Sequence, residues 1–514
     1  MQNDLTAPGS GIQAKAGRRE WIGLGVIALP CMLYSMDLTV LNLALPFISA
    51  DLQPSSSELL WIVDIYGFMV AGFLITMGNL GDRFGRRKML LIGAGAFGIA
   101  SVFAAYSNSA VMLIANRAVL GIAGATLAPS TLSLIRNMFH DPKQRTFAIG
   151  IWITSYSVGG AMGPLIGGFV LQQFWWGAVF LIAVPVMILL LVLGPLLLPE
   201  YKDADAGRMD FLSALLSLVA VLSVIFGLKQ IAEKGMNWLS VSSILAGIII
   251  GYMFLRRQKK LPYPLIDLRL FHKATFSLSL LMYTLATFVI FGAFIFTFQY
   301  MQLIGGLSPI NAGLWSLPFF LAFVIGSLIA PVLVRKFQVA HIMATGLFMA
   351  ALGFGICTQV HNEQGLIYLV AGGFLYSLGI APVFTLTTDI IVGAAPADKA
   401  GSASAISETG SELGGALGIA ILGSIGTAIY RTQIALNTPK EVAPNIIETA
   451  KETLAAAHAE AQMVPAALNS LFINSVHGAF ISGMQVVALI CMTLMVLLAI
   501  LSLKKLSVPI KYHN

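Results

Sequence analysis

The stretch "GNLGDRFGRRKML", residues 78–90, packs five charged side chains and three glycines into thirteen positions, between the apolar runs 58–79 and 88–107. About 20 apolar residues in a helix cross the hydrocarbon core of a bilayer, roughly 30 Å thick. Backbone polar groups in hydrocarbon must be satisfied within their own segment, so two such runs joined by a short charged break read as a hairpin of membrane helices. The glycines permit a tight turn and close helix approach, and Asp82 can cap a helix end or pair with a basic side chain across an interface.

The same alternation continues in both directions. Fourteen apolar runs span approximately 21–49, 58–79, 88–107, 111–136, 146–172, 177–198, 210–229, 237–256, 274–303, 310–334, 341–359, 365–392, 400–430 and 478–503. Of the 514 residues 57% are hydrophobic and only 10% charged, against about 25% charged in soluble domains. This composition predicts an all-α polytopic membrane protein. The first run follows Lys15, Arg18 and Arg19, but at 29 residues it exceeds the 7–15 of a cleaved signal and is expected to stay as a helix. Cys31, Cys357 and Cys491 all fall inside apolar runs, as packing residues rather than a disulfide framework.

With the amino terminus inside, inner segments hold 24 of the 30 Lys and Arg residues. The outer loops hold Lys229, Lys234, Arg431, Lys440 and Lys451, while Arg117 lies within the fourth run. The excess places both termini in the cytoplasm by the positive-inside rule. It also accounts for the net charge of +7 without a nucleic-acid partner. Two connections are long. The basic "RRQKKLPYPLIDLRLFHK", 256–273, is interrupted by Pro262 and Pro264 and reads as a linker between halves. The outer loop 431–477 is rich in helix formers and reads as a solvated surface hairpin, with a lid over the outer mouth as the alternative.

The 78–90 turn resembles the G-x-L-x-D-R-x-G-R-[RK] loop of the major facilitator superfamily, matching at Gly78, Leu80, Asp82, Arg83, Gly85, Arg86 and Arg87. "LIANRAVLGIAGA", 113–125, is similar to that family's fourth-helix motif, and "GGAMGPLIGG", 159–168, resembles its antiporter signature, with Gly163, Pro164 and Gly167. "MDLTVLNLALP", 36–46, and "WIVDIY", 61–66, look like the fourteen-helix drug:proton antiporter branch, particularly exporters of quaternary ammonium compounds; in "FLIAVP", 180–185, Ala183 stands where that branch has Asn. "LVRKFQ", 333–338, faintly echoes "LGDRFG", 80–85. The resemblance implies two six-helix bundles with two inserted helices. On this chain it divides into a tail 1–20, a first bundle 21–200, an inserted pair 201–260, a second bundle 261–503 containing loop 431–477, and a tail 504–514. It also implies a bacterial cytoplasmic membrane and a chain sufficient as a monomer among membrane lipid.

An ionisable group at bilayer depth costs about 2.5–3.5 kcal/mol on insertion scales, so it usually faces a cavity or a partner and marks an ion or substrate path. Snorkelling or capping accounts for Asp389 and Glu58, each near the end of its run. Asp37 lies sixteen residues beyond Trp21, about 24 Å along a helix, where end effects do not reach. Asp64, Arg117, Glu408 and Glu412 remain with it. Glu408 and Glu412, four apart, share a helix face lined by Gly410, Gly414, Gly415 and Gly418. Two like charges there oppose each other, which favours one of the pair holding a proton.

These charges suggest antiport, with a cationic drug and protons competing for the same carboxylates. Asp37 is expected to couple protons, with Arg117 as its modulator (a proximity implied by the resemblance) and Asp64 assisting. Glu408 and Glu412 are expected to bind the substrate cation, and the roles are exchangeable. Aromatic faces attract quaternary ammonium by about 0.5–2 kcal/mol each, which makes Tyr34, Trp61, Phe291, Trp315 and Phe319 candidate substrate contacts. Runs nine to eleven and fourteen carry no internal charge, so monovalent lipophilic cations are expected. Export of a neutral or zwitterionic antibiotic or metabolite is the alternative, and a non-transporting receptor a remote one. The seven histidines lie near loops or ends without metal-ligand spacing, and no G-x-x-x-x-G-K-[ST] loop occurs. Neither an enzyme nor a metal or other cofactor is expected.

Overall fold

The computed structural model describes residues 15–202, 210–361, 365–396, 399–439 and 441–505. Its helices are α1 (Arg18–Leu52), α2 (Ser56–Phe84), α3 (Arg86–Ala105), α4 (Ala110–Met138), α5 (Pro142–Gln173), α6 (Ala178–Leu181), α7 (Ala183–Leu197), α8 (Phe211–Lys234), α9 (Trp238–Gln258), α10 (Ala274–Gln299), α11 (Pro309–Leu333), α12 (Val339–Cys357), α13 (Gly365–Ala394), α14 (Ala400–Asn437), α15 (Pro444–Ala450), α16 (Leu454–Glu460) and α17 (Ala466–Lys505). Among the described residues fourteen spans are long and apolar enough to cross a membrane, with α6 and α7 together making one and α15 and α16 lying outside.

Local chemistry sets the helix starts. Ser55, Ser109 and Ser308 each accept a hydrogen bond from a first-turn N–H, and Asp141 does so ahead of Pro142. Glu58 completes a capping box by accepting from the Ser55 N–H at 2.8 Å, as its place near a helix end predicted. Those Ser55 hydrogen bonds hold the Glu58 carboxyl below the usual carboxylate range. At the other end of α2 the chain turns in one residue: Gly85 has φ 112°, a conformation L side chains avoid, and a Cβ there would meet the Glu200 carboxylate at 2.6 Å.

The spans form two bundles, each around its own buried core. One core runs from Leu24 to Leu198 and takes in Val392 and Ala400 of the second bundle, and the other runs from Met282 to Ala499. Close helix approach makes this packing possible: a Cβ at Gly159, Gly163 or Gly167 of α5 would strike Met32 O, Thr39 Oγ1 or Val40 on α1 at 2.0, 1.8 and 2.8 Å. The inserted helices α8 and α9 pack on each other at Gly227 and Gly247, and α9 leaves Ile248, Ile249, Tyr252 and Met253 exposed, as a lipid-facing surface requires. The linker is docked: Arg257 donates to Asp210 at 2.6 Å, and Lys273 Nζ donates to Ala394 O at 3.0 Å.

Spans alternate in direction, so Arg18, the Gly85 turn, the linker and Lys505 share one face, called here the basic face. On the opposite face the connection expected over 431–477 narrows, because α14 continues to Asn437 and α17 begins at Ala466. It is no solvated hairpin. Ile446, Leu454 and Ala457 join the core of the second bundle, and Tyr430 Oη donates to Ala450 O at 2.8 Å. Cys31, Cys357 and Cys491 are free and buried in the two cores.

Candidate functional site

Within the spans, carboxylates from both bundles come together. Asp37 on α1 meets Arg117 on α4, with Oδ2 2.6 Å from Nη1, so the contact implied by resemblance exists. Arg117 is fully buried and held on three other sides. Its Nε donates to Ile62 O at 3.1 Å, its Nη2 to Val63 O at 3.5 Å, and the guanidinium lies 4.8 Å from the Tyr66 ring centroid. Gly121, one turn beyond Arg117, makes this reach possible, since a Cβ there would strike Tyr66 O at 2.5 Å. α4 therefore lies against α2, and the guanidinium fork joins α1, α2 and α4 at one point.

Asp64 of α2 faces the inserted helix and pairs with Lys229 of α8. Sequence counting had put Lys229 in an outer loop, whereas α8 carries it within a span, over the Phe68 ring at 4.9 Å. Across the gap, Glu412 of α14 accepts from Tyr34 Oη of α1 at 2.9 Å, and Glu408 accepts from Tyr283 Oη of α10 at 3.3 Å. Tyr34 also packs against Tyr66 and Tyr156, with ring centroids 5.8 Å apart in each case. Thus Tyr66, Tyr156 and Tyr283 join the acids, although reading the sequence had singled out only Tyr34. The available signal was tyrosine in place of phenylalanine within apolar runs.

Of the other four aromatic candidates, one is buried in a bundle core and three are exposed. Phe319 is buried inside the second bundle against Gly373 and Tyr376, and is not brought to the carboxylates. Trp61 is exposed beside Phe68, and Trp315 is exposed on α11. Phe291, also exposed, lies across from Gly415, where a Cβ would touch its ring at 3.4 Å.

At the basic face two carboxylates bind the bundles together. Asp82 accepts from Gly401 N at 3.1 Å, Ser402 N at 2.9 Å and Ser402 Oγ at 2.9 Å, in the first turn of α14, where the helix dipole favours an anion. Arg86, fully buried, pairs with the same carboxylate at 2.7 Å, so Asp82 caps a helix start as expected, while its basic partner lies four residues on in its own bundle and not across the interface. Gly78 brings the helices together, because a Cβ there would meet Ala405 Cβ at 2.6 Å. Arg83 lies in the last turn of α2. Pro164 lies within α5, and its side chain is outside the described residues.

Asp389 corrects the sequence reading. It is neither snorkelling nor capping but buried, 2% exposed, and accepts from Arg145 Nε and Thr146 Oγ1, both at 2.6 Å, in the opening turns of α5. The two latches are reciprocal: an acid of the first bundle holds α14, and an acid of the second holds α5. Between them a Cβ at Gly150 would meet Ser327 O of α11 at 2.9 Å. Among the described residues no group of three or more His, Cys, Asp and Glu side chains is placed to hold a metal ion.

Residues 27–419 match the family described as "Major Facilitator Superfamily". The multidrug efflux pump LfrA of Mycolicibacterium smegmatis is 40% identical over 472 residues, covering 92% of this chain and 93% of that protein. The methyl viologen resistance protein SmvA of Salmonella typhimurium is 34% identical, covering 94% and 97%. A tetracenomycin C resistance and export protein of Streptomyces glaucescens is 31% identical, covering 93% and 89%. The fold is also that of the human organic anion transporter MFSD10, at a TM-score of 0.59 and 15% identity over 93% of this chain and 99% of that one. With the family match running across both bundles, the chain belongs to the major facilitator superfamily and is a membrane transporter, not an enzyme.

Proposed function

We propose that this transporter is a proton-coupled antiporter that exports lipophilic cationic drugs, quaternary ammonium biocides and dyes. The observation that carries the reading is the placement of Glu408 and Glu412 between the bundles, each held by a tyrosine, beside the Asp37–Arg117 pair. A carboxylate at that depth is stable only when protonated, paired or occupied by a cation, which makes the two cargoes alternatives for one site. Tyrosine rings supply faces for the cation, and their hydroxyls orient the carboxylates.

The cycle follows. With the basic face open, a cation enters and displaces protons from Glu408 and Glu412. Forming the Asp82 and Asp389 latches at that face turns the site outward. Protons arriving there reload the carboxylates and release the cation. Asp37, tied by Arg117 to α2, senses this change because any shift of α2 against α1 alters its pairing. The excess of Lys and Arg on its loops supports a reading in which that face and both termini lie in the cytoplasm and the chain spans a bacterial cell membrane.

The relatives' names support the substrate class, since methyl viologen is a bis-quaternary cation. Monovalent cations remain the first expectation here, and the name of the tetracenomycin C exporter keeps export of an uncharged antibiotic as the second reading. Purified protein in weakly buffered detergent solution tests the exchange directly. Adding tetraphenylphosphonium is expected to release protons, and Glu408→Gln with Glu412→Gln is expected to abolish the release. Binding without proton release contradicts the shared site.

A further inference from the structure

We propose that Lys229, carried by the inserted helix α8, is a tethered cation that occupies one of the transporter's own carboxylate sites and thereby sets the charge of the cations it accepts. The inference rests on the cation-transport reading above and adds a specificity-determining residue to it.

Three observations converge on this residue. First, α8 is wedged between the bundles: Phe68 and Ala71 of α2, Ile225 and Leu222 of α8, and Leu413 and Ala416 of α14 form a single apolar cluster. Gly72 lets the helices close, because a Cβ there would strike Leu218 and Leu222 of α8 at 2.6 and 3.0 Å. Second, this packing aims Lys229 at the site, where its ammonium pairs with Asp64 and lies over Phe68. Third, the geometry is that of a bound organic ammonium, with one carboxylate, one aromatic face and a second acid nearby. The lysine stem crosses apolar surface to bring its charge there.

The consequence is one of charge. Asp64 neutralised from within leaves Glu408 and Glu412 as the unclaimed acids, and the Lys229 charge opposes any incoming cation in proportion to that cation's own charge. The site therefore disfavours dications more than monocations. The inserted pair thus contributes to selectivity besides joining the bundles.

The test compares binding of tetraphenylphosphonium and methyl viologen by calorimetry in the full-length detergent-solubilised protein. In Lys229→Gln, and independently in Lys229→Met in case one variant folds poorly, affinity is expected to rise about tenfold for the monocation and about a hundredfold for the dication, since the electrostatic gain doubles with charge. Lys229→Arg should keep the wild-type ratio. Asp64→Asn with Lys229→Gln removes both charges and should return the ratio close to wild type. A purely structural lysine would weaken both ligands alike, and a ratio unchanged in Gln and Met overturns the proposal. No binding of either cation by the wild type overturns the functional reading itself, whereas wild-type binding with an unshifted ratio overturns only the role given to Lys229.

Discussion

Arg117 spends its guanidinium on four partners at once, the Asp37 carboxylate, two α2 carbonyls and the Tyr66 ring, and a lysine cannot reproduce that fork. Arg117→Lys is therefore expected to lower transport at least about tenfold, more than the loss of a single hydrogen bond, while a size-exclusion profile stays monodisperse. A transport rate within twofold of wild type would contradict the bridging role. Tyr34→Phe removes one hydroxyl donated to Glu412, worth about 1 kcal/mol or about fivefold in cation affinity, measured by calorimetry. At this scale the sequence was partly legible. Asp37 stood out because a lone acid in a long apolar run has few explanations, but its link to Arg117 came from resemblance. Lys229 and Asp389 were missed for the same reason. Each lies close enough to the end of its run to pass for an end effect, and only the packing of α8 and α5 shows that the partner is in another helix.

Glycine and carboxylate placement decide how the elements meet. Gly85→Ala puts a Cβ on a residue at φ 112° and against Glu200, which costs about 1–2 kcal/mol and should lower the thermal midpoint, read by intrinsic fluorescence. An unchanged midpoint would mean that the turn relaxes. Asp82→Asn combined with Asp389→Asn weakens both latches. Hydrogen exchange in the first turns of α14 and α5 should then quicken by about tenfold or more, because bonds to a charged group contribute about 1.5–3 kcal/mol each. Asp210 gives a pH signature. Its pairing with Arg257 holds its carboxyl down at about 2, so the stabilisation is complete above the unfolded value and fades as pH falls through the folded one. The difference in thermal midpoint between wild type and Asp210→Asn should stay level down to about pH 4 and shrink below it. Helix number and most boundaries were legible because apolar length is a direct consequence of bilayer thickness. The far ends of α14 and the start of α17 were not, since Ala-rich and polar turns continue a helix beyond the hydrocarbon.

Across the whole molecule the two bundles, the wedge of α8 and the pair of reciprocal latches make a body with one face tied together and a carboxylate cluster at its centre. The turn at 78–90 made the fold legible because its glycines and acid answer specific contacts: Gly78 against Ala405, Asp82 on the start of α14, Gly85 in the turn. The aromatic partners of the acids were less so. A chain with 31 phenylalanines has no pattern that tells a packing ring from a binding one: Phe319 is buried in the core of the second bundle, whereas Tyr283 meets Glu408. The central claim is that cation and proton exchange on these carboxylates through alternating access. Its most direct test is flux in proteoliposomes holding a pH-sensitive dye, with an imposed pH gradient, the membrane potential clamped at zero, and tetraphenylphosphonium added. Cation-triggered proton movement is expected, and it is lost in Asp37→Asn and in Glu408→Gln. Cation flux that proceeds at the same rate without a proton gradient, or proton movement that survives both substitutions, would contradict the claim.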